Sequence, residues 1–309
     1  MYEKIVVVTR KTRLEELVER FNTRAQAQFY IEHAGGDFGA YADEHDAYRR
    51  ALAELHRALE LGMPRQVLDR ALVPTYTFGP HDLVVTVGQD GLVANVAKYV
   101  GAQPLVAVNP DPARFDGILL PFEVKECRRA VEAVLEGKAA VREVTLAEAR
   151  LADGQRLLAF NDLFVGARSH VSARYRIRAG KVEEAQSSSG VLVSTGAGST
   201  GWMSSVFNMA RGVASLTGGR AGEPVRMDWE DSRLMYAVRE PFVSRHSAAT
   251  LVAGWIAAGE TLMLQSQMPS EGVIFSDGVE SDFLRFESGA FARIGAAEQR
   301  ARLVVGVRR

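Results

Sequence analysis

Cysteine is almost absent. Cys127 is the only one in 309 residues, which excludes an intrachain disulfide and a thiolate zinc cluster within one chain and suits a reducing compartment. Net charge is equally slight: at −1 it supplies no field that would gather nucleic acid or anionic lipid, so neither partner is expected. Long apolar runs are also missing. The longest weakly polar stretch, residues 248–259, is too short to span a bilayer, and Met1-Tyr-Glu-Lys-Ile-Val-Val-Val-Thr-Arg10 carries charges and too short an apolar run for a signal peptide. A cytoplasmic location is the expectation. What is present, 47% hydrophobic and 24% charged residues, fits two soluble domains that each bury a core.

The chain is organised around Asp82-Leu-Val-Val-Thr-Val-Gly-Gln-Asp-Gly91. Leu83 to Val87 is β-branched and too short for a helix, so it reads as a strand buried on both faces. Gly88 and Gly91 allow a sharp turn, and Leu92, Val93, Val96, Ala97 and Val100 follow at helical spacing. In a parallel α/β sheet such a strand, glycine turn and helix lie at the carboxyl edge, where ligands bind and helix-opening amides attract phosphate. Asp90 would sit there. A plain helix cap is the alternative role for it.

Lys4 to Val8 reads as a first strand, followed by an amphipathic helix through Leu14, Leu17, Val18 and Phe21. A break at Gly35, Gly36 and Gly39 precedes a second helix marked by Leu52, Leu55 and Leu59, ending near Gly62 and Pro64. The spacing of His45 and His56 matches no metal motif, so both read as solvated. Pro104 to Asn109 is another buried strand that delivers Asn109 to the same edge as Asp90, and the prolines at 110 and 112 predict a loop beside it. After a helix between Glu123 and Gly137 the texture turns to short strands: 141–151, 156–165, 171–178, 191–195 and 234–238, with further ones at 261–265, 273–275 and 303–307. A domain boundary is expected near residue 122. One helix interrupts the β-rich part after Ser199.

A second polar cluster, Ser189-Gly-Val-Leu-Val-Ser-Thr-Gly-Ala-Gly-Ser-Thr-Gly-Trp202, leads a strand into a loop of glycines and hydroxyls that lets backbone approach a polar ligand. A tight turn capped by Ser199 or Thr200 is the simpler reading. Upstream, Asn161 and Asp162 lie inside an apolar run and need partners there, either the backbone or an adenosine.

In this order, Gly88-Gln-Asp-Gly91, Asn161-Asp162 and Ala197-Gly-Ser-Thr-Gly-Trp202 resemble the NAD kinases, a branch of the diacylglycerol-kinase-like and phosphofructokinase-like phosphotransferases. Arg10-Lys-Thr-Arg13, Val108-Asn-Pro-Asp-Pro112, Asn161-Asp-Leu-Phe-Val-Gly166, Ser188-Ser-Gly190, Trp202 and Val238-Arg-Glu-Pro241 resemble the mitochondrial-type subgroup most. The resemblance implies a Rossmann-like α/β domain over 1–122, a mainly β dinucleotide-binding domain of NAD-kinase sandwich type over 123–288, a tail, 289–309, returning to the first domain, and a site in the cleft between the domains. It implies transfer of a phosphoryl group from ATP, or polyphosphate in some members, to the 2'-hydroxyl of the adenosine ribose of NAD, giving NADP. Asp90 would be the general base. Mg²⁺ would come with the ATP and amide donors would help neutralise the transferred group, with no direct protein ligand to the metal. Gly88, Gln89, Asn109, Thr195, Gly198 and Ser199 would hold phosphates. Gly91, Asn161, Asp162, Ser189, Thr200, Gly201, Trp202 and Ser205 would hold NAD. A homodimer or higher homo-oligomer is implied as well.

The sequence departs from the family at four of these places. Gln89 stands where the family has Gly, which would cost about 1–2 kcal/mol if the position needs a left-handed backbone. Leu92 replaces a Thr, Asp162 a Glu, and Ser189 the Asp of ordinary bacterial members. Two alternatives follow: a binding protein that senses NAD or NADP without turnover, or a kinase acting on a lipid or another polyol. The absence of an exposed amphipathic basic segment counts against a lipid.

Overall fold

The β-branched runs near the amino terminus pair in parallel. In the computed structural model, which describes residues 2–308, the chain divides into a unit that runs to Arg142 and takes back the segment from Arg302, and a unit of Glu143–Ala301. The first unit comprises β1 (Lys4–Thr9), α1 (Arg13–Phe21), α2 (Arg24–His33), α3 (Phe38–Ala58), β2 (Arg65–Asp69), β3 (Asp82–Val87), α4 (Asp90–Ala97), β4 (Pro104–Asn109), β5 (Phe122–Glu123) and α5 (Cys127–Leu135). Its sheet runs β2-β1-β3-β4, all parallel. Ile5, Val7, Leu83, Val85, Val106 and Val108 face Tyr48, Leu52 and Leu55 of α3 and Cys127, Val131 and Val134 of α5. The alternate residues Val6, Val8, Val84 and Leu105 are equally buried. That is why these strands read as unbroken apolar runs. Because β2 and β3 flank β1 on opposite sides, the strand order reverses between β1 and β3, and their carboxyl ends form the switch point at which such sheets bind ligands.

The division after Arg142 differs from the boundary expected near 122. The reason is α5, whose Cys127, Ala130, Val131, Ala133 and Val134 complete the first unit's core. The returning segment likewise starts at Arg302 rather than 289: Leu303 pairs with Leu105 of β4, whereas Phe291 to Ile294 pair with residues of the second unit.

The second unit is a β-sandwich with one helix. It comprises β6 (Ala139–Leu151, its first residues in unit one), β7 (Arg156–Ala159), β8 (Asp162–Ala167), β9 (Ala173–Ala179), β10 (Val182–Ser188), β11 (Val191–Ser194), α6 (Trp202–Leu216), β12 (Leu234–Val238), β13 (Ala253–Ile256), β14 (Leu262–Ser266), β15 (Gly272–Ser276), β16 (Val279–Arg285) and β17 (Phe291–Val307, its end in unit one). One sheet has the order β13-β12-β11-β8-β15-β16 and is antiparallel throughout. The other carries β10-β9-β14-β17, also antiparallel, with β6 beside β17 and β7 beside β6. Alternate residues Ala173, Tyr175 and Ile177 of β9 and Leu262 and Leu264 of β14 share a core with Val165, Val191, Val193, Tyr236 and Ile274 of the first sheet, as period-two strands with one buried face require. No helix among the described residues is long and apolar enough to cross a membrane.

Candidate functional site

In the first unit the site is built on the turn between β3 and α4. Gln89 is the N-cap residue, with φ −102 and ψ 168, and makes no side-chain cap bond. This is extended backbone that any residue adopts, so the left-handed cost expected for a side chain at 89 does not arise. Asp90 is the first helical residue rather than the cap. Its Oδ1 accepts from the Leu119 amide at 2.6 Å, which ties down the loop after β4, and its other oxygen has no partner among the described residues. The amides of Gln89, Asp90 and Gly91 likewise have no acceptor there, leaving the positive end of α4 open. Gly88 is pinned by packing: a Cβ on it would lie 2.8 Å from Leu92 Cδ2. Leu92 is buried, so the residue that replaces the family's Thr fills core rather than facing a ligand.

Asn109 reaches the same edge but serves the loop. It accepts from the Asp111 amide and donates to the Phe115 carbonyl, both at 3.0 Å, so both ends of its amide are in use. His45 is not simply solvated either, since its Nδ1 lies 2.9 Å from Thr12 Oγ1. Burial beside Arg65 lowers the pKa of His56. Cys127 is buried, and its thiol is pushed up to about 12 by that burial, which leaves it inert.

In the second unit the expected strand 156–165 breaks at Phe160-Asn161. The amides of Phe160, Asn161 and Asp162 turn to the carboxylate of Asp277, at 3.0, 2.7 and 3.3 Å, instead of to a neighbouring strand. Asp277 has φ 53 and occupies the β15–β16 turn. Sequence reasoning missed it; its signal was the Asp277-Gly278 hairpin pair. Asp162 Oδ1 is buried with no partner. Burial first, and the negative charge of Asp277 second, raise its pKa to about 7. The Asn161 side chain is half-buried and makes no hydrogen bond among the described residues.

The glycine loop after β11 turns its polar groups inward. Thr195 Oγ1 donates to the Phe160 carbonyl at 2.6 Å and accepts from the Gly198 amide. Ser199 Oγ donates to the Gly196 carbonyl at 2.7 Å and accepts from the Met227 amide. Both residues are fully buried, so the hydroxyls expected at phosphates are held by the protein itself. Thr200, Gly201 and Ser205 are exposed around the start of α6. Trp202 stacks on Phe164 at 5.6 Å and 11°, with the Arg239 guanidinium 5.3 Å from the indole. These three side chains, with exposed Ser189, line a cleft of about 480 Å³, in which aromatic faces and a cation can receive a planar, polar ligand. Phe164 was not singled out from the sequence, and Arg239 entered only within Val238-Arg-Glu-Pro241.

A parallel α/β unit with its switch-point turn, coupled in sequence to a sandwich that carries the Asn161-Asp162 break and the loop after β11, defines a fold of the NAD-kinase type. An NAD kinase from Archaeoglobus fulgidus, solved in complex with ATP, matches it with a TM-score of 0.54 at 16% identity, over 97% of this chain and 93% of its own. Yeast NADH kinase in complex with NADH matches with a TM-score of 0.57 at 16% identity, over 99% and 84%. At that identity the likeness is one of fold. No family model and no curated protein matches the sequence.

Proposed function

We propose that the protein is an NAD kinase, transferring a phosphoryl group from Mg²⁺-bound ATP to the 2'-hydroxyl of the adenosine ribose of NAD. The observation that carries the reading is Asp90. It is a carboxylate at the switch point, with one oxygen fixed by the Leu119 amide and the other free to take a proton, beside three open helix-terminal amides. A phosphoryl transfer asks for little more than a base, donors for the phosphates and positioning. Mg²⁺ enters with the nucleotide, as part of the substrate.

In the second unit, Asp162 supports NAD as the acceptor. An unpartnered buried carboxylate oxygen is costly, and a ribose hydroxyl would satisfy it. Asn161 offers an unused amide to the same adenosine, and the Trp202-Phe164-Arg239 cleft supports a ring and its phosphate. The binding-only alternative drew on Gln89 and Leu92. With Gln89 unstrained and Leu92 buried against Gly88, neither gives a reason to expect lost turnover.

The test is NADP formation from NAD and MgATP. Asp90→Asn keeps the Leu119 contact through its amide oxygen but cannot accept the proton, so kcat is expected to fall by roughly 10²–10⁴ with little change in the KM for NAD. Turnover that survives the substitution would remove Asp90 from its role.

A further inference from the structure

Arg10, directly after β1, is more buried than an ordinary arginine at a sheet edge. Its side chain is only 9% exposed, and its Nε is buried with no acceptor. A guanidinium in that setting is costly unless something completes its bonding. Its own contacts hold it still. The Arg10 amide donates to Tyr48 Oη at 3.0 Å, and Tyr48 in turn donates to the Val87 carbonyl at 3.0 Å. The guanidinium lies 5.3 Å from the Tyr48 ring and 5.8 Å from that of Phe115. One Nη donates to the Lys11 carbonyl and the other to Glu44, each at 3.0 Å.

Two features turn this tether into a site. Glu44 also accepts from Arg13 at 2.5 Å, so one carboxylate serves two arginines and a positive charge is left over. The side chain also packs on the start of the turn: Arg10 Cδ would lie 3.7 Å from a Cβ on Gly88, the residue that precedes Gln89, Asp90 and Gly91, whose amides have no acceptor among the described residues. A fixed guanidinium and the open end of α4 are together suited to a phosphate chain.

We infer that Arg10 is a ligand of the phosphate chain of the phosphoryl donor, held by Tyr48 and Glu44 so that its guanidinium and the α4 amides grip the same anion. This rests on the kinase reading, but the binding it claims can be measured without turnover. Calorimetry on the full chain with MgATP and, separately, with inorganic tripolyphosphate is the experiment, run beside steady-state NADP formation. Arg10→Gln is expected to weaken both ligands about 10- to 100-fold, the loss of a charge-assisted bond, and to raise the KM for ATP while leaving that for NAD near its original value. Arg10→Lys keeps the charge without the planar fork and is expected to fall in between. The double variant Arg10→Gln with Glu44→Gln removes both buried charges and should bind as weakly as Arg10→Gln.

Wild-type affinity for both ligands in a folded Arg10→Gln protein would overturn the inference. So would a loss confined to MgATP, which would put Arg10 at the nucleoside, or no binding of either ligand by the unaltered protein. If both glutamine variants fail to fold, Arg10→Lys decides, and unchanged affinity there overturns the inference. Phosphate binding that depends on Arg10 in a protein that makes no NADP would sink the kinase reading and leave this one standing.

Discussion

The turn at Gly88–Gly91 and the loop at Gly196–Gly201 have the same texture in sequence, small residues between a buried strand and a helix, yet the structure uses them in opposite ways. At the first, the amides of Gln89, Asp90 and Gly91 are free and a Cβ on Gly91 would meet nothing within 4 Å. At the second, a Cβ on Gly196 would lie 1.9 Å from the Asp228 carbonyl oxygen, and one on Gly198 would lie 2.1 Å from that of Asn161. The hydroxyls of Thr195 and Ser199 are consumed in the same packing. Gly91 thus leaves open space in one unit, whereas Gly196 and Gly198 let two stretches of backbone touch in the other. What the loop after β11 supplies is position: Thr195 bonds the Phe160 and Asn161 carbonyls beside Asn161 and Asp162, whose side chains have no hydrogen-bond partner among the described residues.

The comparison breaks most easily at Gly198. Gly198→Ala drives a methyl into the Asn161 carbonyl, where neither partner is a flexible side chain, and is expected to destabilise the protein by about 3 kcal/mol, read as a lower urea midpoint. A loss under about 1 kcal/mol would mean that the loop has slack.

Asp162→Asn comes next and has the opposite sign. The folded pKa of Asp162 lies above its ordinary value, at about 7, so ionisation is disfavoured in the folded protein. Stability is therefore full well below the ordinary value of 3.8, at about pH 3, where the group is protonated in both states. It declines as pH rises toward 7 and levels off above. The neutral side chain should remove that decline and stabilise the ligand-free protein by on the order of 2 kcal/mol at pH 8, while weakening the proposed binding of NAD. Melting curves from pH 4.5 to 8 check it, and parallel curves for the two proteins would refute the burial argument.

The sequence was most legible where physics is local. A strand buried on both faces is a run of β-branched residues, so β1, β3 and β4 stood out, and the strand, turn and helix around Asp90 lie within one short stretch. Amphipathic signals failed where burial is slight. Helix α2 buries only Ala27 and Ile31, and β10, β13 and β16, each at the edge of a sheet, keep many residues exposed. Contacts across the chain were not legible at all. Asp277 meets Phe160, Asn161 and Asp162 only once β15 lies beside β8. Nor does a Thr or Ser in a glycine loop announce whether its hydroxyl faces a ligand or, as with Thr195 and Ser199, the carbonyl of a neighbour.

Gly91→Ala is the smallest change and the sharpest probe of the contrast with Gly198. Gly91 lies in the first turn of α4 with open space where a Cβ would point, so alanine's helix preference is unopposed and should raise stability by about 0.5 kcal/mol. The same methyl would stand where the proposed phosphate approaches the free amides, so MgATP binding should weaken as the protein becomes more stable. Urea unfolding and MgATP calorimetry on one preparation separate the two effects. A gain in stability with unchanged affinity would show that the turn is open for some reason other than phosphate, and a loss of stability would place Gly91 with Gly198, as a glycine the fold itself needs.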